Sequence, residues 1–94
     1  MLFRSLLASL PACTDSTTAP WLAEAGVQVL PQAFHASGNI ATAGGCLASQ
    51  YLAAWVLSRL DNPEAARAAL HYVAPIGEKD DYANRALSHI TPYL

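Results

Sequence analysis

The sequence has few charged residues for its length. Asp, Glu, Lys and Arg make up 13% of its 94 residues, while 53% are hydrophobic. Charged residues usually make up about a quarter of a soluble chain. The five Lys and Arg residues are scattered and form no stripe that could follow a phosphate backbone. We therefore predict that the chain alone binds no nucleic acid, and that part of its apolar surface meets a partner subunit or a missing segment.

The sequence also lacks an apolar run long enough to cross a membrane. No charged residue occurs in residues 26–58, but Pro31, Gln32, His35 and Asn39 interrupt that interval. A membrane-spanning helix needs about 20 mostly apolar residues in succession. We therefore predict no membrane span.

The N-terminal stretch MLFRSLLASLPAC superficially resembles an export signal that ends in a bacterial lipoprotein cleavage site. Its apolar run covers residues 5–10, which is shorter than the roughly 7–15 residues that such a signal needs. Phe3, Leu6, Leu7 and Leu10 instead recur at helical spacing, which predicts a short packing helix over 1–11. Without an export signal, we expect a cytoplasmic protein.

The motifs of metal and serine chemistry are absent as well. His35, His71 and His89 lie far apart and form no HxxH or HxH pair, and no CxxC accompanies them. Ser16 belongs to no GxSxG elbow. We therefore predict no metal site and no cofactor, and the sequence gives no support for a serine hydrolase.

Helix start and stop residues are present in four places. Pro20 and Gly26 bracket a short helix, with Thr17 or Thr18 as its cap. A second helix runs from Gly45 to about Leu60, and it is apolar nearly all round, which predicts burial on more than one side. The third helix starts at Asn62, Pro63 and Glu64 and stops at Pro75 and Gly77. The fourth starts near Asp80 and Asp81 and stops at Pro92.

Alternating and β-branched residues predict about three short strands. Residues 27–30 and 39–42 form two of them, and 12–14 a third. A turn at Ser37, Gly38 and Asn39 precedes the second. With four or five helices, the order of the elements predicts an α/β layered fold.

Three segments carry a resemblance to a known family. They are TDSTTAPWLAEAGVQVL, GNIATAGGCLASQYLAAWVLSRL and AARAALHYVAPIGEK. Together they resemble the C-terminal half of the ThiJ/PfpI family, within the class I glutamine amidotransferase-like superfamily. The resemblance covers about residues 12–94, and the run GNIATAGG before an apolar helix is its most specific part. It implies a single partial domain over 1–94.

The resemblance implies a partial flavodoxin-like sandwich. Family members act as glyoxalases or deglycases, peptidases, isonitrile hydratases, chaperones, or sensor domains of AraC-type regulators. Their chemistry uses a cysteine at a strand-to-helix elbow, an acidic residue and often a histidine. The elbow and the acidic residue both precede the segment that matches Thr14, so this chain contains neither.

The resemblance also implies that Thr42, Ala43, Gly44 and Gly45 line one side of the family's pocket. Glycines at such a position allow close approach of a backbone. A simpler interpretation stays open, in which the same four residues only form the turn between a strand and a helix.

Two cysteines could replace the missing nucleophile. Cys46 lies near the start of the apolar helix, where unpaired N–H groups favour a thiolate, so it is the candidate catalytic residue. The alternative is that Cys46 is a small buried hydrophobic residue. Cys13 matches a position of core packing in the family. The two could form a disulfide, but the lack of an export signal favours two reduced thiols.

His35 has two interpretations. It precedes the strand at 39–42, so it either faces the pocket of a complete domain or lies in an exposed loop.

Two functional hypotheses follow. The first is a non-catalytic truncated or remnant ThiJ/PfpI-like domain that self-associates, for example as a dimer. The second is half of an enzyme of the glyoxalase, deglycase or hydrolase type, or half of an AraC-type sensor domain. In the second case a separate N-terminal half completes the domain.

Overall fold

The structure is a computed structural model, and it describes residues 10–94. The chain divides into two compact units, Met1–Ser49 and the remainder up to Leu94. The helix predicted over 1–11 falls outside the described residues, apart from Leu10 and Pro11. The predicted α/β class is confirmed at the level of mixed composition, since the described residues contain four α-helices and one two-stranded antiparallel sheet. The flavodoxin-like arrangement remains a prediction.

Helix α1, Ala19–Glu24, begins and ends where the sequence predicts. Thr18 is its N-cap residue, but its hydroxyl does not accept a bond from the helix. Asp15 binds Thr18 instead, because its carboxylate accepts the Thr18 N–H at 2.7 Å and the Thr18 hydroxyl at 3.1 Å. Gly26 follows the helix with φ of 90°, a left-handed conformation that glycine adopts without strain.

Strands β1, Phe34–Ser37, and β2, Ile40–Ala43, form an antiparallel hairpin. Ser37 pairs with Ile40, so Gly38 and Asn39 make a two-residue turn. Gly38 has φ of 60°, whereas no non-glycine residue among 10–94 has a positive φ, which fits a type II′ turn. The predicted turn is confirmed, and the strand predicted at 39–42 is displaced by one residue.

The strands predicted at 12–14 and 27–30 are wrong as strands. They reduce to one isolated parallel bridge between Ala12 and Val29. The Ala12 N–H donates to the Gln28 carbonyl at 2.9 Å, and the Leu30 N–H donates to the Ala12 carbonyl at 2.8 Å. Two residues after the bridge, the backbone of Thr14 lies close to Gly44.

The core of the first unit forms around this bridge. Ala12, Leu22 and Val27 are buried together, and Val29 and Ile40 pack against them. Helix α1, the bridge and the hairpin therefore share one small apolar cluster.

The second unit consists mainly of helices. Helix α2, Ser49–Leu60, begins at the boundary between the units and follows a 3₁₀ turn, Cys46–Ala48. Helices α3, Pro63–Val73, and α4, Lys79–Ile90, come next, and a 3₁₀ turn, Thr91–Tyr93, ends the chain. The buried hydrophobic residues of this unit are Ala54, Trp55, Ala66, Leu70, Ala74, Ala83, Ala86 and Ile90.

Helix α2 is buried on one face, so the prediction of burial on several sides is wrong. Its buried residues are Ala54, Trp55 and Ser58. Leu57 is 38% exposed and Leu60 is 82% exposed. An apolar helix therefore keeps exposed side chains, which matches the expectation of apolar surface available to a partner.

Side chains close the ends of helix α3. The Asn62 carboxamide oxygen accepts the N–H of Ala65 at 2.8 Å, which confirms Asn62 as the N-cap. At the other end, Lys79 Nζ donates to the carbonyls of His71 at 2.8 Å, Tyr72 at 3.3 Å and Ala74 at 3.1 Å. A cation at a helix C-terminus is favourable because the last carbonyls there carry partial negative charge.

Candidate functional site

The candidate site is an open groove of about 520 Å³ in the first unit. Its polar lining comes from Thr14, Asp15, Ser16 and Gln32, and Gly44 forms part of its wall. The apolar lining consists of Ala19, Val29, Leu30, Pro31 and Ala33. The groove therefore lies where the bridge at Ala12, the start of α1 and the end of β2 meet.

Gly44 can occupy its position only because it has no side chain. A Cβ on Gly44 would lie 2.9 Å from the carbonyl oxygen of Gln32 and 3.0 Å from that of Thr14. Both neighbours are backbone atoms, which move less readily than side chains. The Gly44 N–H also donates to the Ala33 carbonyl at 2.8 Å. The glycine thus lets three stretches of backbone meet at the wall of the groove.

Of the four residues that the resemblance assigns to a pocket, only Gly44 lines this groove. Thr42 accepts the Cys13 N–H at its hydroxyl, over 2.8 Å. Ala43 ends β2, and Gly45 precedes the 3₁₀ turn with φ of 108°. This φ of Gly45 requires glycine. The four residues are therefore also a strand-to-helix turn that depends on backbone conformation.

Asp15 contributes a carboxylate to the groove. Hydrogen bonds from the Thr18 N–H and then from the Thr18 hydroxyl lower the pKa of this exposed carboxyl. A carboxylate with a lowered pKa is a weak base at neutral pH. Asp15 can accept hydrogen bonds from a ligand, but it is poorly suited to remove a proton.

Neither cysteine lines the groove. Cys13 is 3% exposed, and burial raises the pKa of its thiol, an effect that a hydrogen bond with Thr42 only partly offsets. Cys46 is exposed and free, so the expectation that it is a small buried residue is wrong. Cys13 is also free, and the structure therefore contains two thiols and no disulfide between them.

His35 lies in β1, directly opposite Thr42, and it is half-buried. The alternative of an exposed loop histidine is therefore wrong. His35 is not among the described residues that line the groove. Within 10–94, no group of His, Cys, Asp and Glu side chains is arranged to hold a metal ion.

Sequence reasoning missed the polar lining of the groove. Thr14, Asp15 and Ser16 precede a helix, where such residues ordinarily serve as caps and turns, so their types alone do not indicate a site. A signal was available in Gly44, since a glycine after a strand indicates close backbone approach without identifying the partner.

The chain matches no protein-family model and no curated protein. No helix in the described part of the chain is both long and apolar enough to span a membrane.

Proposed function

We propose that this chain is the C-terminal half of a ThiJ/PfpI-like domain, the half that carries one wall of the pocket. We also propose that it is non-catalytic by itself. The proposal rests on the resemblance of residues 12–94 and on one structural observation. The groove bordered by Gly44 contains hydroxyl, carboxylate and carboxamide groups but neither of the two thiols. Such a groove can bind a small polar molecule, yet it lacks the nucleophile of thiol chemistry.

The surroundings of each thiol support the same proposal. Burial raises the pKa of the Cys13 thiol and so disfavours its thiolate, and only the thiolate is a nucleophile. Cys46 is exposed in a 3₁₀ turn of three residues. Within residues 10–94, Cys46 belongs to no metal-binding group of three or more His, Cys, Asp and Glu side chains. A positioned general acid or base contributes about 10²–10⁴ in rate.

We further propose a partner and a compartment. The partner is a second copy or a complementary N-terminal half, because Leu60, Tyr72 and Ile76 leave large apolar side chains exposed. The compartment is the cytoplasm, because free thiols persist in a reducing environment.

An assay with methylglyoxal tests the lack of catalysis. We expect the wild-type chain, Cys46→Ser and Cys13→Ser to give the same rate as buffer. Turnover by the wild type that is lost in Cys46→Ser would overturn the proposal and make Cys46 a nucleophile. Turnover that survives in both variants would indicate a contaminant or a chemistry without thiols.

A second experiment separates the non-catalytic domain from the enzyme or sensor half. The reading frame upstream of the Met1 codon is sequenced, and any in-frame extension is expressed together with the chain. An extension with an acidic residue and a Gly-x-Cys elbow that yields thiol-dependent turnover, or binds a small effector, supports completion by an N-terminal half. Lack of such an extension supports the non-catalytic domain.

A further inference from the structure

The outer edge of β2 has backbone groups without partners in the described part of the chain. In an antiparallel hairpin, residues alternately turn their N–H and C=O toward the neighbouring strand and away from it. The Gly44 N–H donates to the Ala33 carbonyl across the hairpin. Thr42 and His35, the pair two residues closer to the turn, therefore also direct their N–H and C=O groups toward each other. Ala41 and Ala43 therefore point outward. Among the described residues, their outward N–H and C=O groups form no hydrogen bond.

The outer edge of β1 is different. Its Phe34 carbonyl accepts a hydrogen bond from the Gln32 side chain at 2.7 Å. That side chain covers part of the β1 edge, and β2 has no equivalent cover among residues 10–94.

β2 is short, at four residues, but it lacks the other features with which proteins protect a strand edge. Such features are a lysine or another charge, a proline, or a bulge. Residues 34–45 contain no charged residue and no proline. The hairpin has no bulge, since its pairs follow in register from Phe34 with Ala43 to Ser37 with Ile40.

The segment at Cys13 and Thr14 packs against a face of β2, and no part of residues 10–94 pairs with its outer edge. Cys13 bonds the Thr42 side chain, and Thr14 lies where a Gly44 side chain would project. Residues 42 and 44 project from the same face, because side chains alternate along a strand. Ala41 and Ala43 remain partly exposed.

We propose that β2 pairs edge to edge and antiparallel with β2 of a second copy of this chain. In the register with Thr42 opposite the partner's Thr42, each Ala41 lies opposite the partner's Ala43. Both outward residues of each copy then exchange N–H and C=O bonds, so four backbone hydrogen bonds form across the twofold axis. The product is a four-stranded antiparallel sheet.

A second copy fits this edge for two reasons. The interval 26–58 carries no Asp, Glu, Lys or Arg, so two identical hairpins meet without repulsion between like charges. The paired residues are alanine and threonine, whose small side chains place no bulk between the strands. The inference does not depend on membership of the ThiJ/PfpI family.

Proline substitution at two facing alanines tests the pairing. Ala36 and Ala41 are directly opposite each other, and neither N–H is used within the hairpin. Ala41→Pro removes two of the four intermolecular bonds, which should raise the dimer dissociation constant about 30-fold. Ala36→Pro makes the same change on the other edge and should leave the constant unchanged. Sedimentation velocity measures the dissociation constant at chain concentrations between about 1 and 100 µM, which span micromolar affinities.

Hydrogen exchange on the wild-type chain gives a readout that needs no variant. The Ala41 and Ala43 amides should become protected as concentration rises, whereas the Thr42 amide, already bonded within the hairpin, should not change. A wild-type monomer throughout the concentration range would overturn the proposal. So would a dimer whose Ala41 and Ala43 amides stay unprotected, or equal loss of dimer in both proline variants. Protection of these amides in a monomer would assign the edge to another occupant and would also overturn it.

Discussion

The backbone N–H of Cys13 donates to the hydroxyl of Thr42, 29 residues further along the chain, over 2.8 Å. The bond fastens the hairpin to the segment that carries the bridge at Ala12. It satisfies the N–H of a buried residue with a side chain, where a longer sheet would use a backbone carbonyl.

Replacing Thr42 with valine should destabilise the chain. Thr42→Val keeps the shape of the side chain but leaves the Cys13 N–H without an acceptor, at a cost of about 1–3 kcal/mol in the free energy of unfolding. Thr42→Ser keeps the hydroxyl and should cost clearly less. Urea unfolding followed by circular dichroism measures both, and equal losses in the two variants would show that the hydrogen bond is unimportant.

Replacing Gly44 with alanine should distort the groove. The added Cβ would meet the carbonyls of Thr14 and Gln32, and such overpacking costs about 1–3 kcal/mol. Gly26→Ala is the comparison variant, because its Cβ would enter open space away from Gly44 and only its positive φ opposes the change. Amide chemical shifts of Thr14 and Gln32 should move in the first variant and stay in the second. Unchanged shifts in Gly44→Ala would contradict the close approach.

The two thiols should differ in reactivity at pH 8. Iodoacetamide should modify the exposed Cys46 rapidly and leave the buried Cys13 unmodified until the chain is denatured. Peptide mass spectrometry with and without denaturant distinguishes them. Rapid native modification of Cys13 would show that its segment opens readily.

Cys13 should also make the stability fall at alkaline pH. Burial raises the pKa of the native thiol above its ordinary value of 9.0. The unfolded thiol therefore ionises first, so the contribution to stability is complete below about pH 9 and is lost as pH rises through the native pKa. Cys13→Ala should show a smaller decrease in unfolding free energy between about pH 8 and 10.5, a window that brackets the ordinary thiol pKa. If the unfolding free energies of the wild type and of Cys13→Ala fell equally with pH, the raised pKa of Cys13 would be refuted.

Removing the cap of helix α3 should have a measurable cost. The Asn62 side chain accepts the Ala65 N–H, and Asn62→Ala should lower the free energy of unfolding by about 1 kcal/mol. Asn62→Asp retains an acceptor and should remain close to the wild type. Thermal unfolding measures the difference, and a loss in both variants would point away from capping.

Local residue chemistry determined the turns and helix ends of this protein. Asn62 and Pro63 start α3, Gly26 follows α1, and Gly38 turns the hairpin, each as predicted. These features depend on the φ angle that a residue tolerates or on a bond to a backbone group within a few positions. Both are present in a short stretch of sequence.

Tertiary structure decided the pairing, the buried faces and the groove. Whether residues 12–14 form a strand depends on what lies beside them, and Gly44 lies against Thr14 there. The sequence of α2 is apolar nearly all round and does not indicate which face is buried. Packing decided this, and it left Leu57 and Leu60 exposed. The groove joins Asp15 to Gly44, residues that come together only when the chain folds. Contacts between distant residues depend on the positions of all the intervening elements, and periodicity and propensity in a short window carry no information about those positions.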